Sequence, residues 1–345
     1  MNSADATEIV LPGKVEPTDF QIRHRTLAAP APGHVLLRME ATGVSFAEQQ
    51  MRRGTYYDQP PFPFVLGYDV VGTVTAAGPG VDPATVGRRY AVVTKTGAWA
   101  SLLDVEAADL LPVPAGLDPA AVEAVLVNGI TAWQMLHRTA KVSPGATVVV
   151  LGANGGVGTT LVQLARDAGC TVIGTASARH HDLVRGLGAT PVDYRDPALY
   201  DRIRELAPDG VDAVFDHVGG DGLAKSWELL RRRGTLVQYG TASARDNGGA
   251  VSQLPVMAAF ARLTMWNALP NGRHAHFFNF WAGKRNVDTF RARLREDLDA
   301  VLSRLADGVL VPRIAARFPL SEAAAAMTLA ETRTVAGKVI ILPDA

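Results

Sequence analysis

The chain has one cysteine in 345 residues, Cys170, which excludes an intrachain disulfide and any zinc site assembled from several thiolates. It has no excess of either charge: 34 Lys and Arg balance 34 Asp and Glu. No large uniform field therefore exists to hold nucleic acid or an anionic membrane, and neither is expected as a partner. A run of about 18 uninterrupted apolar residues, the length that spans a bilayer, is missing. So is a basic segment leading into an apolar one after Met1. Asn2, Ser3, Ala4 and Asp5 follow instead, and a cytoplasmic location is expected. Internal repeats and low-complexity segments are also missing.

What remains is an ordinary globular composition, 48% apolar and 20% charged, and a length that predicts about two domains. The first third reads as short strands broken by glycine and proline, with strand-like runs at Val35–Met39 and Val70–Thr75. A helical pattern begins at Pro119. Beyond it, β-rich runs at Thr147–Leu151, Thr171–Thr175, Thr190–Asp193, Val211–Phe215 and Thr235–Tyr239 alternate with helical segments. That is the rhythm of a parallel α/β sheet. The stretch Ala244–Arg285 breaks the rhythm and is rich in aromatics. An amphipathic helix over Val287–Asp307 and a last strand over Lys338–Leu342 complete the reading.

The strongest local signal is Val148-Val149-Val150-Leu151-Gly152-Ala153-Asn154-Gly155-Gly156-Val157-Gly158, followed by an apolar pattern at helical spacing. A buried strand running into glycines and opening a helix is the arrangement that seats a pyrophosphate on a helix N-terminus. The match to G-x-G-x-x-G is imperfect, since Ala153 stands at the first glycine and Gly152 precedes it. After the second strand comes Thr175-Ala176-Ser177-Ala178-Arg179-His180-His181, with no carboxylate for a ribose 2′-hydroxyl. Ser177, Arg179 and His180 are candidates to receive a 2′-phosphate, so NADPH is the expected cofactor. The alternative makes Arg179 and His180 solvated residues at a helix start.

Ordered motifs along nearly the whole chain resemble the medium-chain dehydrogenase/reductase superfamily, in particular its zinc-independent quinone oxidoreductases and enoyl reductases. They are Gly43–Glu48, Met51–Tyr56, Pro63–Gly72, Asn128–Trp133, Ala153–Gly158, Asp216–Gly220 and Ala336–Val339. The resemblance implies an α/β fold: a GroES-like β-rich domain over residues 1–127, completed by 284–345, and a Rossmann parallel-sheet domain over 128–283. The cofactor cleft would lie between them. Gly87-Arg88-Arg89-Tyr90 departs from the family pattern by lacking its usual Asp. Metal-dependent members need a Cys in the first domain and a Gly-His-Glu segment. Val44-Ser45-Phe46 and Gly67-Tyr68-Asp69 stand in those places, and no metal is expected. His274 and His276 form an H-x-H pair, which more often packs than binds metal.

Hydride addition to a quinone or an α,β-unsaturated carbonyl collects charge on an oxygen that a neutral donor can stabilise. By resemblance, Tyr56 is the first candidate donor, Ser45 lines the nicotinamide side, and Tyr68 is a second donor. Tyrosines in such loops also serve simply to pack. Further cofactor contacts expected by position are Asn128, Thr131, Tyr194, the loop His217-Val218-Gly219, Gly240 and Thr241, with Lys338 reaching the phosphates. Tyr194 has edge packing as its alternative, and Lys338 solvation. The segment Phe277–Trp281 would close over the cofactor, with Phe278 and Phe280 in contact with it, and shape an apolar pocket for a small-molecule substrate; a homodimer is expected through the sheet edge. Two other readings stay open: a nucleotide-binding structural or redox-sensing protein without turnover, and an NADP-dependent ketoreductase or alcohol dehydrogenase.

Overall fold

A computed structural model of the chain describes residues 4–240, 254–332 and 334–344. Thr241 and the start of the Ala244–Arg285 stretch lie outside the described residues. The chain forms two compact units: one holds the residues up to Val127, Arg285–Gly308 and those from Pro312 on, the other Asn128–Lys284 with Val309–Val311.

In the first unit the chain lays down β1 (Ala4–Leu11), β2 (Gln21–Leu27), β3 (His34–Val44), α1 (Phe46–Arg52), β4 (Phe64–Val65), β5 (Asp69–Ala77), β6 (Arg89–Val93), β7 (Leu102–Glu106), β8 (Leu111–Pro112) and the start of α2 (Pro119–Trp133). The runs read as strands at Val35–Met39 and Val70–Thr75 fall inside β3 and β5. These pair antiparallel, with bulges after Leu36 and Met39 that tighten the twist. Leu37, Val74, Trp99, Leu103 and Ile341 fill the core beneath them. Trp99 is fully buried, and its indole N–H donates to the Gly43 carbonyl at 3.0 Å, so its one polar atom is satisfied.

The second unit alternates β9 (Thr147–Val150), α3 (Gly156–Asp167), β10 (Thr171–Ala176), α4 (His181–Gly186), β11 (Thr190–Asp193), α5 (Leu199–Leu206), β12 (Val211–Asp216), α6 (Gly222–Glu228), β13 (Leu230–Gln238), α7 (Leu254–Asn267) and β14 (His274–Phe277). Among the described residues its sheet runs β11-β10-β9-β12-β13-β14, all parallel, which is the Rossmann order with the reversal beside β9. β9, β10 and β12 are buried nearly throughout, as strands covered on both faces must be. One expectation is corrected here. The α/β rhythm does not stop in Ala244–Arg285, because α7 and β14 continue it. β14 is only four residues long, and its exposed His274 and His276 flank a buried Ala275, so no apolar run marks it.

The chain then returns to the first unit as α8 (Val287–Ala306), β15 (Ile314–Pro319), α9 (Ala323–Thr332) and β16 (Lys338–Leu342). The Asn286 side chain caps α8 by accepting from the Thr289 N–H. β16 lies between β15 and β3, and the seven-stranded sheet continues through β5, β6 and β8, with β7 paired to β3. Ala323 to Ala326 open α9. Among the described residues no helix is long and apolar enough to cross a membrane.

Candidate active site

In the second unit the site is built where the strands end. Past β9 the backbone turns at Gly152, in the left-handed region at φ 71°, and its N–H donates to the Thr175 hydroxyl at 3.0 Å. Ala153 N–H donates to the Thr175 carbonyl at 2.8 Å, so the end of β10 holds the turn in place. A Cβ on Gly158 would sit 2.1 Å from the Gly152 carbonyl oxygen, so only glycine lets α3 lie this close to the turn. α3 begins at Gly156 with Gly155 as its cap residue and no side-chain cap. Its first internal bond runs from Thr159 N–H to the Gly155 carbonyl. The amides of Gly156, Val157 and Gly158 precede that bond, at the positive end of the helix dipole. A Cβ on Gly156 would meet the Asn128 amide nitrogen at 2.7 Å. An uncapped helix start walled by glycines and one amide side chain fits a pyrophosphate.

The other strand ends gather around this turn. Ser177 is buried after β10, and Arg179 and His180 follow on a short 3-10 turn, where the Arg179 Nε donates to His180 Nε2 at 3.3 Å. Tyr194 donates its N–H to the Ala176 carbonyl at 3.2 Å, which brings it beside them. Its ring is half exposed beneath the Arg195 guanidinium. Thr131 is buried, one helical turn beyond Asn128. The His217 ring lies against the glycine turn: a Cβ on Gly152 would be 2.3 Å from its Cε1. Gly240 closes on the His217 carbonyl, Gly219 on the Gln238 side chain, and Phe278 donates its N–H to the Gln238 carbonyl at 2.7 Å. Phe280 is buried, edge-on to Trp281. Gly152, Gly155, Gly156, Val157, Gly158, His217, Val218, Gly219, Gly240 and Phe278 thus share one rim.

In the first unit, Ser45 caps α1, its hydroxyl accepting from Ala47 N–H at 3.2 Å. The Glu48 carboxylate completes a capping box by accepting from Ser45 N–H, and its other oxygen accepts from Tyr68 N–H at 2.9 Å. The Tyr56 and Tyr68 hydroxyls are 3.2 Å apart and both rings are buried. The Lys95 ammonium lies 5.9 Å from the Tyr56 ring centroid. The structure therefore brings the two expected donors together as one hydroxyl pair.

Lys338 is not where it was expected. Its ammonium is buried and donates to Asp69 Oδ2 at 3.0 Å, to Glu123 Oε1 at 2.7 Å and to the Glu123 carbonyl at 3.2 Å. Gly43 leaves room for it, since a Cβ there would be 2.5 Å from Lys338 Cε. With Asp69 Oδ1 at 3.3 Å as a fourth acceptor, an ammonium so engaged within its own unit has no geometry left for a phosphate. Burial and the neighbouring Asp69 push the Glu123 carboxyl well above the usual carboxylate range. Despite the cost of burial, Asp69 and Glu123 together raise the Lys338 ammonium.

Residues 31–115 match the alcohol dehydrogenase GroES-like domain, and residues 187–341 match the zinc-binding dehydrogenase family. The chain is 33% identical over 341 residues to the synaptic vesicle membrane protein VAT-1 homolog of Rattus norvegicus, covering 96% of this chain and 82% of that protein. It is 32% identical over 349 residues to a 2-haloacrylate reductase of a Burkholderia species, covering 97% and 98%. The chain belongs to the medium-chain dehydrogenase/reductase superfamily. Among solved structures, the Escherichia coli quinone oxidoreductase complexed with NADPH aligns with this medium-chain reductase at a TM-score of 0.84 and 26% identity, over 98% of this chain and 100% of that one. Oxidoreductase activity follows from this membership. Although the matched family is described as zinc-binding, no group of three or more His, Cys, Asp or Glu among the described residues is placed to hold a metal ion.

The organising roles of three residues of this medium-chain reductase escaped the sequence reading, although all three stand in segments it quoted. Asp216, fully buried, accepts from Val218 N–H at 2.8 Å, Gly219 N–H at 2.9 Å and the Ser226 hydroxyl at 2.8 Å, so it shapes the loop that carries His217. An Asp two residues ahead of Val218, with Gly219-Gly220 after it, is the local signal for such a turn. Thr175 and Glu48 act through bonds to residues more than 15 positions away, which no local pattern records.

Proposed function

We propose that this chain is an NADPH-dependent reductase that delivers hydride, without zinc, to a quinone or to the activated C=C bond of an α,β-unsaturated carbonyl. The observation that carries the reading is the uncapped, glycine-walled start of α3 beside Thr175 and Asn128, a cradle for a pyrophosphate in a sheet of the right order. Bound NADPH supplies the hydride. Ser177, Arg179 and His180 would receive its 2′-phosphate, with Tyr194 beside the adenine ribose. Asn128, Thr131, His217, Val218, Gly219 and Gly240 would face the rest of the cofactor, and Phe278 and Phe280 would help exclude water.

The acceptor needs stabilisation of one developing oxyanion. The buried Tyr56 and Tyr68 hydroxyls form a neutral donor pair for it, in which one hydroxyl orients the other. Hydride adds at the β-carbon, the carbonyl oxygen takes the electron pair, and a hydroxyl or water returns a proton to the enolate. A zinc would find a poor donor set here: the Ser45 hydroxyl caps a helix, the Tyr68 hydroxyl is in the pair, and Asp69 holds Lys338. The relatives named quinone oxidoreductase and 2-haloacrylate reductase act, by their names, on acceptors of these two kinds. Loss of NADPH absorbance with a panel of quinones and enones tests the reading. Turnover with at least one class supports it, and tight NADPH binding with no turnover on any acceptor refutes it.

A further inference from the structure

Glu48 is fully buried, and its two carboxylate oxygens hold backbone amides from two different segments, Ser45 and Tyr68. A capping box accounts for the first bond only. The second reaches 20 positions along the chain to the residue whose hydroxyl lies 3.2 Å from that of Tyr56. We propose that Glu48 is a positioning residue whose ionised carboxylate clamps Ser45 and Tyr68 at a fixed spacing and so sets the hydroxyl pair against the acceptor oxygen. The clamp deepens the reductase reading and, in its kinetic part, rests on it.

The chemistry of the clamp depends on its charge. A carboxylate accepts strongly on both oxygens, whereas in a carboxylic acid the oxygen that carries the proton is a poor acceptor, and one of the two bonds weakens. The charged groups around it are Asp69 on β5 and Lys338 on β16, with Glu123 on α2 behind them on the same ammonium. Burial first and Asp69 second push the Glu48 carboxyl up to about 7, while the Ser45 bonds and Lys338 oppose the rise. The clamp is therefore loose in acid and set as pH rises through neutrality.

Fluorine NMR of protein carrying 3-fluorotyrosine tests this, with the two resonances assigned by Tyr56→Phe and Tyr68→Phe. Both should move with pH around neutrality in the wild type. In Glu48→Gln they should be displaced and cease to move. The same variant should lose at least tenfold in kcat/KM for the best acceptor, with NADPH affinity within twofold, and the acid limb of the kcat/KM profile should vanish. If Glu48→Gln does not fold, Glu48→Asp serves: it should keep the pH-dependent shift and still lose kcat/KM. Resonances that match the wild type in the variant, or an unchanged kcat/KM, overturn the clamp. If the wild type reduces no acceptor but the fluorine shifts follow Glu48, the reductase reading fails and the clamp stands.

Discussion

Replacing Lys338 with methionine separates two roles that a basic residue in this position could have. Methionine fills most of the same volume but removes the ammonium that lies 2.7 Å from Glu123 and 3.0 Å from Asp69. Removing one partner of a buried ion cluster leaves unpaired charge, at about 3–5 kcal/mol. The lower end applies at acid pH, because Glu123 already holds its proton more tightly than an ordinary carboxyl and can remain neutral. The deficit should grow as pH rises, since Glu123 must then ionise without its counter-ion. A loss of this size is a large fraction of the roughly 5–15 kcal/mol that holds a typical domain folded. Urea unfolding at pH 5.5 and 8.5 measures it, with Trp99 as the tryptophan of the first unit, bonded to the same Gly43 that makes room for Lys338. NADPH affinity, titrated by fluorescence, should change less than threefold. A deficit below about 1 kcal/mol, or a tenfold loss of NADPH affinity with stability intact, would refute the assignment and return Lys338 to the cofactor phosphates.

Arg179→Ala should erase most of an at least tenfold preference for NADPH over NADH, about 1.4 kcal/mol of charge-assisted bonding to one phosphate. Equal affinity for the two cofactors in the wild type would show that the turn after β10 does not read the 2′-phosphate. Tyr56→Phe should lower kcat/KM at least tenfold on the best acceptor, with the Tyr68 hydroxyl preventing a complete loss; full activity would remove Tyr56 from the chemistry. Trimming Phe278 or Trp281 to Ala should raise KM for bulky apolar acceptors more than it changes NADPH affinity, and unchanged kinetics in both variants would count against their role in the pocket. Among the described residues β14 pairs with β13 alone, and its other edge should pair with a second copy, so light scattering should give twice 36.6 kDa, and a monomer at micromolar concentration would contradict it.

What could be read in advance was local. The run from Val148 through Gly158 states its own structure, because a buried parallel strand needs apolar residues throughout and the turn after it needs glycine. β14 could not be read that way. Its four residues alternate His with Ala and Phe, but the run is too short to stand out, and pairing with the neighbouring β13 makes it a strand. Lys338 was misplaced for a different reason. Lysines are usually solvated, and the partners that let this one be buried lie 269 and 215 positions away. The His217 ring over Gly152 and the Glu48 bond to Tyr68 are likewise pairings made by the tertiary fold. The residue types of the site were legible, and the contacts that orient them were not.

The place of β16 in its sheet sets a timetable for biosynthesis. It joins β3 through Val339 opposite Val44, so about 300 residues of chain must leave the ribosome before that strand gains this neighbour, some 15–60 s at typical elongation rates. Over that interval the Thr42–Val44 end of β3 waits for its β16 neighbour, and Asp69 and Glu123 wait without their ammonium. The second unit, nearly continuous in sequence, is fully synthesised first. The usual order, in which the N-terminal domain matures while the rest is being made, is therefore inverted. A ribosome that stalls before Lys338 releases a chain able to complete its nucleotide-binding half but not the half that carries the tyrosine pair.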